Sequence, residues 1–384
     1  MSIELNIKEL KWFGDIVQKA KEKFATDIDI LEGKPVRLGL LKSYTPIEPI
    51  IVPSREQLDE LVSMTLPAMP IVSGMQKETV GRRMVNFQSE TSMYSRLRSG
   101  GVEYCFSIQD FGRFRVSCTK SEEGLGLSIR KLPYYIPAFD DMNAFGYLKG
   151  IKEFLNFHTR VPGGLILHAG ITGSGKTTLI SSEVDFIATK IDGKILTYEN
   201  PIEYKYTFRK ASIRQYEVGR HVDSYVSALR MALRNDPSVI VLGEVRTKDE
   251  VQAMIDTAVR GHLLFSTLHT SNVMNTLRFL DGMGEGGVVG ESSSWRQMLA
   301  YSIQAIVSQK LIYREGYGFV IVPEVLIPDN VVRQKIAEGQ YLEIQNMLAQ
   351  NTLRGNGTIT FAEVTQDLFS KKICTLRETA ELNR

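Results

Sequence analysis

The sequence predicts an α/β protein in which an N-terminal α+β domain precedes a domain built on a mostly parallel sheet. Three observations carry that prediction. The block Val102 to Pro133 alternates apolar and polar residues and breaks at Gly112 and at Glu123-Gly124, as three antiparallel strands would. From residue 165 to about 285, short apolar runs alternate with stretches of helical period, the rhythm of a sheet covered on both faces. At the head of that region a glycine-rich turn joins the first apolar run to the first helical stretch.

Residues 8 to 25 place Leu10, Phe13, Ile16, Val17 and Ala20 on one helical stripe. Two strand candidates follow in Ala25 to Gly39, separated by the Glu32-Gly33 turn. A helix is expected over 54 to 65, opened by Ser54 with Glu56 and Gln57 in its first turn. A second is expected over about 77 to 89. The meander then closes a first domain of residues 1–135. A proline-bearing linker covers 136–144, and a helix is expected at about 145 to 158. Strands are predicted at 165–169, 194–198, 238–242 and 262–267, with helices at 176–189, 222–235, 248–259 and 272–281. These form a core of residues 145–290. Residues 282–294 read as a glycine-rich loop, either a surface connection or a mobile segment near a subunit contact. The remainder, 291–384, reads as mainly helical, with a short strand pair near 311–326 around Glu315-Gly316.

A chain of 384 residues has ample length for two or three domains with real cores. Its net charge of +2 gives no global pull toward nucleic acid or anionic lipid, so the sequence carries no strong sign of direct nucleic-acid binding. The three cysteines, Cys105, Cys118 and Cys374, are scattered and include no CxxC pair, which points to a reducing compartment and away from a zinc or disulfide framework. No apolar signal region opens the chain, and no run approaches the ~20 residues that cross a bilayer.

The turn reads Gly170-Ile171-Thr172-Gly173-Ser174-Gly175-Lys176-Thr177, after the strand candidate Leu165 to Ala169 and before Thr178-Leu179-Ile180. Strand, glycine-rich turn and helix N-terminus are the order that phosphate binding requires. Gly170, Gly173 and Gly175 let the backbone wrap phosphates, with Thr172, Ser174 and Thr178 in the same cradle. Lys176 is placed to reach the β- and γ-phosphates of ATP or GTP, and the Thr177 hydroxyl to hold Mg2+. Such chemistry also needs a carboxylate. Glu244 follows the apolar run Ser238 to Leu242, at the strand end where phosphates lie, and can organise Mg2+ directly or through water. Glu203, beyond Pro201, is a second candidate, as general base. Spacing alone gives it no advantage over an ordinary turn carboxylate. His262 and His269 bracket the run Leu263 to Leu268 and are candidate γ-phosphate sensors. Without a cysteine or third histidine nearby they make no metal site other than one for magnesium. Arginines neutralise charge during phosphoryl transfer. Arg230 and Arg234 are one helical turn apart, Arg246 follows Glu244, and Arg113 and Arg115 share one side of a strand.

These motifs, in this order, resemble the type II/IV secretion ATPases, and within them the PilT-like branch. Gly170 to Thr177 resembles the Walker A loop, Thr197 to Glu203 the Asp box, Leu233 to Arg246 the Walker B region and Gly261 to Thr270 the His box. Ala305 to Leu311 resembles the family's helical continuation. The likeness covers about residues 25 to 370. It implies a PAS-like N-terminal domain followed by a RecA-like P-loop ATPase domain with a helical C-terminal part. It further implies a homo-hexamer, with ATP and Mg2+ as cofactors and the cytoplasmic face of the inner membrane as its place. The partners it implies are platform or secretion-complex proteins, or other secretion ATPases. Carried over by motif, Lys176 and Thr177 bind phosphate and magnesium. Glu203 is then the catalytic glutamate and Glu244 the Walker B glutamate. His262 and His269 are the His-box histidines, Arg230 and Arg234 reach nucleotide, and Arg113 is the N-terminal arginine.

The departures are informative. Asn200 stands where the Asp box usually has aspartate. Val331 to Gly339 resembles the C-terminal motif of pilus-retraction motors and keeps Arg333, but has Gln334 and Lys335 where that motif has asparagine and leucine. No four-cysteine zinc insert is present. These features bring the chain nearest to DotB/TraJ-type motors of type IVB secretion and conjugation. The expected function is a hexameric ATP-hydrolysing motor for such an apparatus, in which hydrolysis changes the angle between the two domains. A pilus-retraction ATPase, a nucleic-acid translocase and a nucleotide-regulated scaffold are the alternatives.

Overall fold

A computed structural model describes the chain except for residues 1–3, 6–9, 24, 41–42, 66–100, 109–110, 133–134, 144, 157–160, 285–290, 315–317, 351, 354 and 383–384. It divides into two units, Met1–Tyr135 with Asn200–Lys205, and Ile136–Glu199 with Tyr206–Arg384.

In the first unit, helix α1 (Lys11–Glu22) buries Phe13, Ile16, Val17 and Ala20, the stripe its spacing predicts. Helix α2 (Arg55–Thr65) is opened by a reciprocal cap: Ser54 N–H donates to Gln57 Oε1, and Gln57 N–H to Ser54 Oγ. Seven strands form one sheet: β1 (Glu4–Leu5), β2 (Asp27–Leu31), β3 (Arg37–Leu40), β4 (Ser43–Pro46), β5 (Val102–Ile108), β6 (Gly112–Ser121) and β7 (Gly124–Leu132). Their order is β1-β5-β6-β7-β2-β3-β4. Only the β1–β5 pair is parallel. Alternate residues such as Ile28, Ile30, Leu125, Leu127 and Ile129 are buried in one cluster with Leu58, Leu61 and Val62 of α2 and the stripe of α1. Phe106 and Phe114 face each other across β5 and β6 and stack at 5.6 Å, pinning that register. The helix expected over 77–89 lies outside the described residues.

In the second unit seven strands are ordered β10-β9-β11-β12-β8-β13-β14. They are β8 (Gly164–Ala169), β9 (Lys194–Glu199), β10 (Ser212–Glu217), β11 (Val239–Leu242), β12 (Leu263–Leu268), β13 (Ile303–Arg314) and β14 (Gly318–Leu326). All neighbours are parallel except the β13–β14 hairpin. Strands β8, β11 and β12 are buried along their whole length, because helices cover both faces. On one face, Ile166, Val241 and Phe265 pack with α3 (Phe139–Met142), α4 (Lys149–Leu155) and α5 (Lys176–Ala188). On the other, Leu167, Ile240 and Leu264 pack with α6 (Tyr225–Ala232), α7 (Lys248–Val259), α8 (Val273–Gly284) and α9 (Glu291–Ser302), backed by α10 (Asn330–Glu338) and α11 (Tyr341–Ala349). Helices α12 (Phe361–Ser370) and α13 (Leu376–Leu382) close over Val320 and Val322 of β14. All three cysteines are buried, and burial pushes the Cys118 thiol up to about 11.

The structure corrects several expectations. Residues 305–311 form strand, not helix, inside a twelve-residue β13 that extends the parallel sheet beside β8. The strand pair near 311–326 is therefore much longer than expected, and the region after 291 supplies part of the main sheet. Helix α8 runs through Gly284 and α9 starts at Glu291, so the supposed loop 282–294 is helical at both ends. The helix expected at 145–158 is described as the shorter α4, and the linker contains α3. Strand β10 had no counterpart among the predicted elements.

No helix among the described residues is long and apolar enough to cross a membrane. Helix α7, which packs behind the end of β11, starts from a capping box in which Thr247 Oγ1 accepts from Glu250 N and Thr247 N donates to Glu250 Oε2. Thr247→Ala should cost about 1 kcal/mol of unfolding free energy in a urea titration. Ser63→Ala, on the exposed side of α2, should cost less than ~0.5 kcal/mol.

Candidate functional site

The carboxyl ends of the parallel strands form the edge at which open α/β sheets bind ligands. Strand β8 ends there at Ala169 and passes directly into the glycine-rich turn. Gly170, Gly173 and Gly175 take φ of +148°, +83° and +86°, a region that side chains disfavour. A Cβ on Gly170 would stand 2.6 Å from both the Gln309 carbonyl oxygen and Ser174 Oγ. Gly175 is the left-handed N-cap of α5. The helix thus begins at Lys176 with its first amides unpaired within the helix and its positive dipole end on the turn. Thr172 and Gly173 are exposed, Ser174 is buried, and Thr177 and Thr178 are half-buried in the first turn of α5.

Lys176 is 8 % exposed, and its Nζ donates to the carbonyls of Gly170 at 2.6 Å and Ile171 at 3.1 Å. Burial pulls its ammonium below the ordinary lysine value, opposed by the charge of Glu244. The lysine of the turn and the carboxylate after β11 therefore feel one another's field on the same edge.

Glu244 stands at the centre of a small network. Its Oε1 and Oε2 accept from Arg246 Nε at 2.6 Å and Nη2 at 2.7 Å, a bidentate pair, and His269 Nε2 lies 3.0 Å from Oε1. Burial alone would push the carboxyl up, but the Arg246 hydrogen bonds and the charges of His269 and Arg246 outweigh it and hold it below the usual carboxylate range. The backbone at Glu244 is fixed from β12, where Thr267 Oγ1 donates to Gly243 O at 2.6 Å. A buried carboxylate, Glu199, ends β9 beside this turn and accepts from Thr197 Oγ1 at 2.6 Å and Gln215 Nε2 at 3.2 Å. Sequence reasoning gave it no role of its own. The signal was its place at the last residue of an apolar strand.

Gln309 is the other residue that the sequence did not single out. It is fully buried on β13, and its Nε2 donates to Ser174 O at 2.7 Å. It thereby braces the turn from the strand next to β8. Reading that strand as helix concealed this role.

Not every candidate joins the group. His262 precedes the first residue of β12, seven residues and roughly 23 Å of extended chain from His269. Its Nδ1 lies 3.2 Å from Pro237 O, at the amino end of β11. Within one chain the two histidines therefore stand at opposite ends of β12. Arg234 lies on the same far edge: the neighbouring Asn235 carbonyl accepts from Lys194, the first residue of β9. Arg230, one turn earlier on α6, lines a cavity of about 520 Å³ with Asp249, Asp256 and Arg260. A strand's sequence shows that both of its ends carry polar groups, but not which edge holds the ligand.

Glu203 and Arg113 belong to the first unit. The segment Asn200–Lys205 departs from the end of β9 and clusters with residues 1–135. There Arg115 Nη1 donates to Glu203 Oε1 at 2.8 Å while its Nη2 pairs with Glu103 at 2.9 Å. Arg113, 8 % exposed, donates from Nη2 to the Ile202 carbonyl at 2.6 Å. Two arginines from one face of β6 thus fix the segment that carries Glu203.

Residues 100–316 match the family model described as type II/IV secretion system protein. The chain belongs to this family. Over 258 residues it is 31% identical to the type IV pilus retraction ATPase PilT of Pseudomonas aeruginosa, covering 67% of this chain and 72% of that protein. The crystal structure of the pilus retraction motor PilT with bound ADP superposes with a TM-score of 0.75 at 27% identity, covering 96% of each chain. The ATPase DotB of Legionella pneumophila gives a TM-score of 0.73 at 24% identity over 96% of this chain and 94% of that one, a likeness of fold. The chain is thus a PilT-like secretion-family protein, with an N-terminal domain and a RecA-like domain.

The turn's geometry sets a comparison. Gly170→Ala meets both a strained φ and two close oxygens, whereas Gly173→Ala meets the φ alone, with nothing within 4 Å of the added Cβ. In a urea titration Gly170→Ala should lower the unfolding free energy by more than Gly173→Ala, by about 2 kcal/mol against about 1 kcal/mol.

Proposed function

We propose that the protein is a hexameric motor that hydrolyses ATP to ADP and phosphate, and that it powers a type IVB secretion or conjugative transfer apparatus at the inner membrane. The observation that carries the enzymatic part is that Lys176 and Glu244 lie on one sheet edge, within reach of each other's charge. The secretion and pilus ATPases among its relatives support the motor class.

In this reading the backbone of Gly170 to Thr178 cradles the phosphates of ATP, and Lys176 exchanges its loop carbonyls for the β- and γ-phosphates. The residues present fit Mg2+: the Thr177 hydroxyl in the first turn of α5 and the ionised Glu244 are hard oxygen donors. Bound there, the ion neutralises charge on the terminal phosphates. Glu244, kept ionised by Arg246 and His269, orients or deprotonates the attacking water, or shares that task with Glu203. Glu203 is held by Arg115 through Oε1, so this second carboxylate is positioned by the first unit. Arg113, Arg230, Arg234 and His262 act on nucleotide held by a neighbouring copy, since Arg234 and His262 lie on the far edge of their own sheet. Platform or secretion-complex proteins, or other secretion ATPases, receive the work, and the protein sits on the cytoplasmic side through them.

The choice of machine rests on the C-terminal motif. Arg333 donates to Ala300 O and to Gln304 Oε1, bolting α10 to the end of α9, and Lys335 pairs with Glu343 at 2.6 Å. Lys335 therefore serves within the chain, where the retraction-motor motif carries leucine. Pilus retraction is the second reading, favoured by the likeness to PilT. DNA-stimulated turnover at physiological salt would instead favour a translocase.

The test is turnover against affinity. Lys176→Ala should weaken ATP and ADP binding by about a hundredfold or more. Glu244→Gln should lower kcat by about a hundredfold while the nucleotide Kd changes by less than ~5-fold. Equal turnover by wild type and Glu244→Gln would reduce the protein to a nucleotide-binding scaffold.

A further inference from the structure

Beneath the phosphate loop lies a pair of ionisable side chains that the proposed reaction does not use. His168 is the penultimate residue of β8, two residues before Gly170, and Glu183 lies in α5. Both are completely buried, and His168 Nε2 stands 2.9 Å from Glu183 Oε2. None of the four atoms, His168 Nδ1 and Nε2 and Glu183 Oε1 and Oε2, has a hydrogen-bond partner among the described residues, so the 2.9 Å approach is a close polar contact without hydrogen-bond geometry. Around them the face is mostly apolar: Ile166 precedes His168 on the same side of β8, Ile180, Val184 and Ile187 flank Glu183 on α5, and Val307 is in register on β13, while the residue in register on β12, Thr267, turns its hydroxyl to the Gly243 carbonyl.

Such a pair is a poor way to stabilise a core. Two groups taken out of water lose more hydration than one contact returns, and an apolar pair of similar volume holds two elements together equally well. What distinguishes this pair is its place. β8 leads into the loop and α5 leads out of it. Glu183 follows Lys176 by seven residues, two helical turns, so it projects from the same helix face roughly 10 Å along the axis. The contact therefore ties the two legs of the loop to each other directly below the lysine. We propose that His168 and Glu183 are positioning residues that set the spacing of β8 and α5, and through it the fit of the loop to nucleotide phosphates.

The proposal rests on the nucleotide reading of the loop and has its own kinetic signature. The loop backbone grips phosphates in the ground state and in the transition state alike. Disturbing its spacing removes uniform binding, which raises Kd and KM and leaves kcat in place. Loss of Glu244 has the opposite signature.

The experiment titrates ADP and ATP, with magnesium, into the full chain by calorimetry and measures steady-state turnover. In His168→Val/Glu183→Met, the melting temperature should be no lower than in wild type, Kd and KM should rise about fivefold or more, and kcat should stay within about twofold. A folded double variant with wild-type Kd and KM overturns the proposal, as does one in which kcat falls and Kd does not. If the double variant does not fold, Glu183→Gln decides. It keeps shape and volume but replaces a carboxyl oxygen with an amide nitrogen, so Kd should rise about two- to threefold at unchanged kcat. An unchanged Kd in that variant overturns the proposal. Lys176→Ala separates the two levels. If wild type binds and Lys176→Ala does not, an unchanged Kd in the paired variants removes only the role of His168 and Glu183. If wild type binds no nucleotide, the reading of the loop falls as well.

Discussion

The loop after β8 keeps its path because three glycines take backbone angles that side chains disfavour and because Gln309 holds the Ser174 carbonyl from the adjacent strand. This path fixes where α5 starts. The start of α5 fixes where Lys176 emerges and where the helix dipole points. The same strand and helix must then pack on one another, and they do so through Ile166, Leu179, Ile180 and Val184. The sheet order places β12 and β13 on either side of β8, so the loop is supported by Gln309 on one flank while His269 projects from the strand on the other. A chain that built this turn elsewhere in the sheet would lose the Gln309 brace.

Electrostatics follow from that geometry. Burial works against two charges on the edge: it lowers the Lys176 ammonium and by itself would raise the Glu244 carboxyl. Glu244 nevertheless stays ionised because Arg246 binds it with two nitrogens and His269 adds a third contact. The arginine is mostly exposed, so this clamp costs little to open and leaves the carboxylate free to exchange partners. Glu203 is held in the same manner by Arg115 in the other unit. Each of these two candidate carboxylates therefore rests against an arginine.

The fold was largely legible where local pattern and burial agree. Helix α1, the β5–β7 meander and the strand-helix alternation from β8 to α8 could be read from periodicity, because each has one environment per face. Strand β13 could not. It is buried on both sides over most of its length, so Ile303 to Leu311 shows no alternation, and it follows α9 with no turn residue to mark the change. The half-polar β10 sits at the sheet edge and looks like a loop. In the site, the glycine turn, Lys176, Glu244 and His269 were legible because their chemistry is tied to one strand end each. The far-edge placement of His262 and Arg234 was not, since it depends on strand direction within the assembled sheet. Nor was the clustering of Glu203 with residues 1–135, because that contact joins positions almost ninety residues apart.

The burial of all three cysteines has a practical corollary. Cys105 and Cys118 lie in the sheet of the first unit, Cys374 lies under α12 and α13, and burial holds the thiols of Cys118 and Cys374 protonated at neutral pH. The native protein should then be nearly silent toward maleimides. One engineered surface cysteine in each unit would carry a fluorophore pair with little background, and the wild-type thiols need not be removed first. Changes in separation between the two units during turnover could then be followed by energy transfer in the otherwise natural chain.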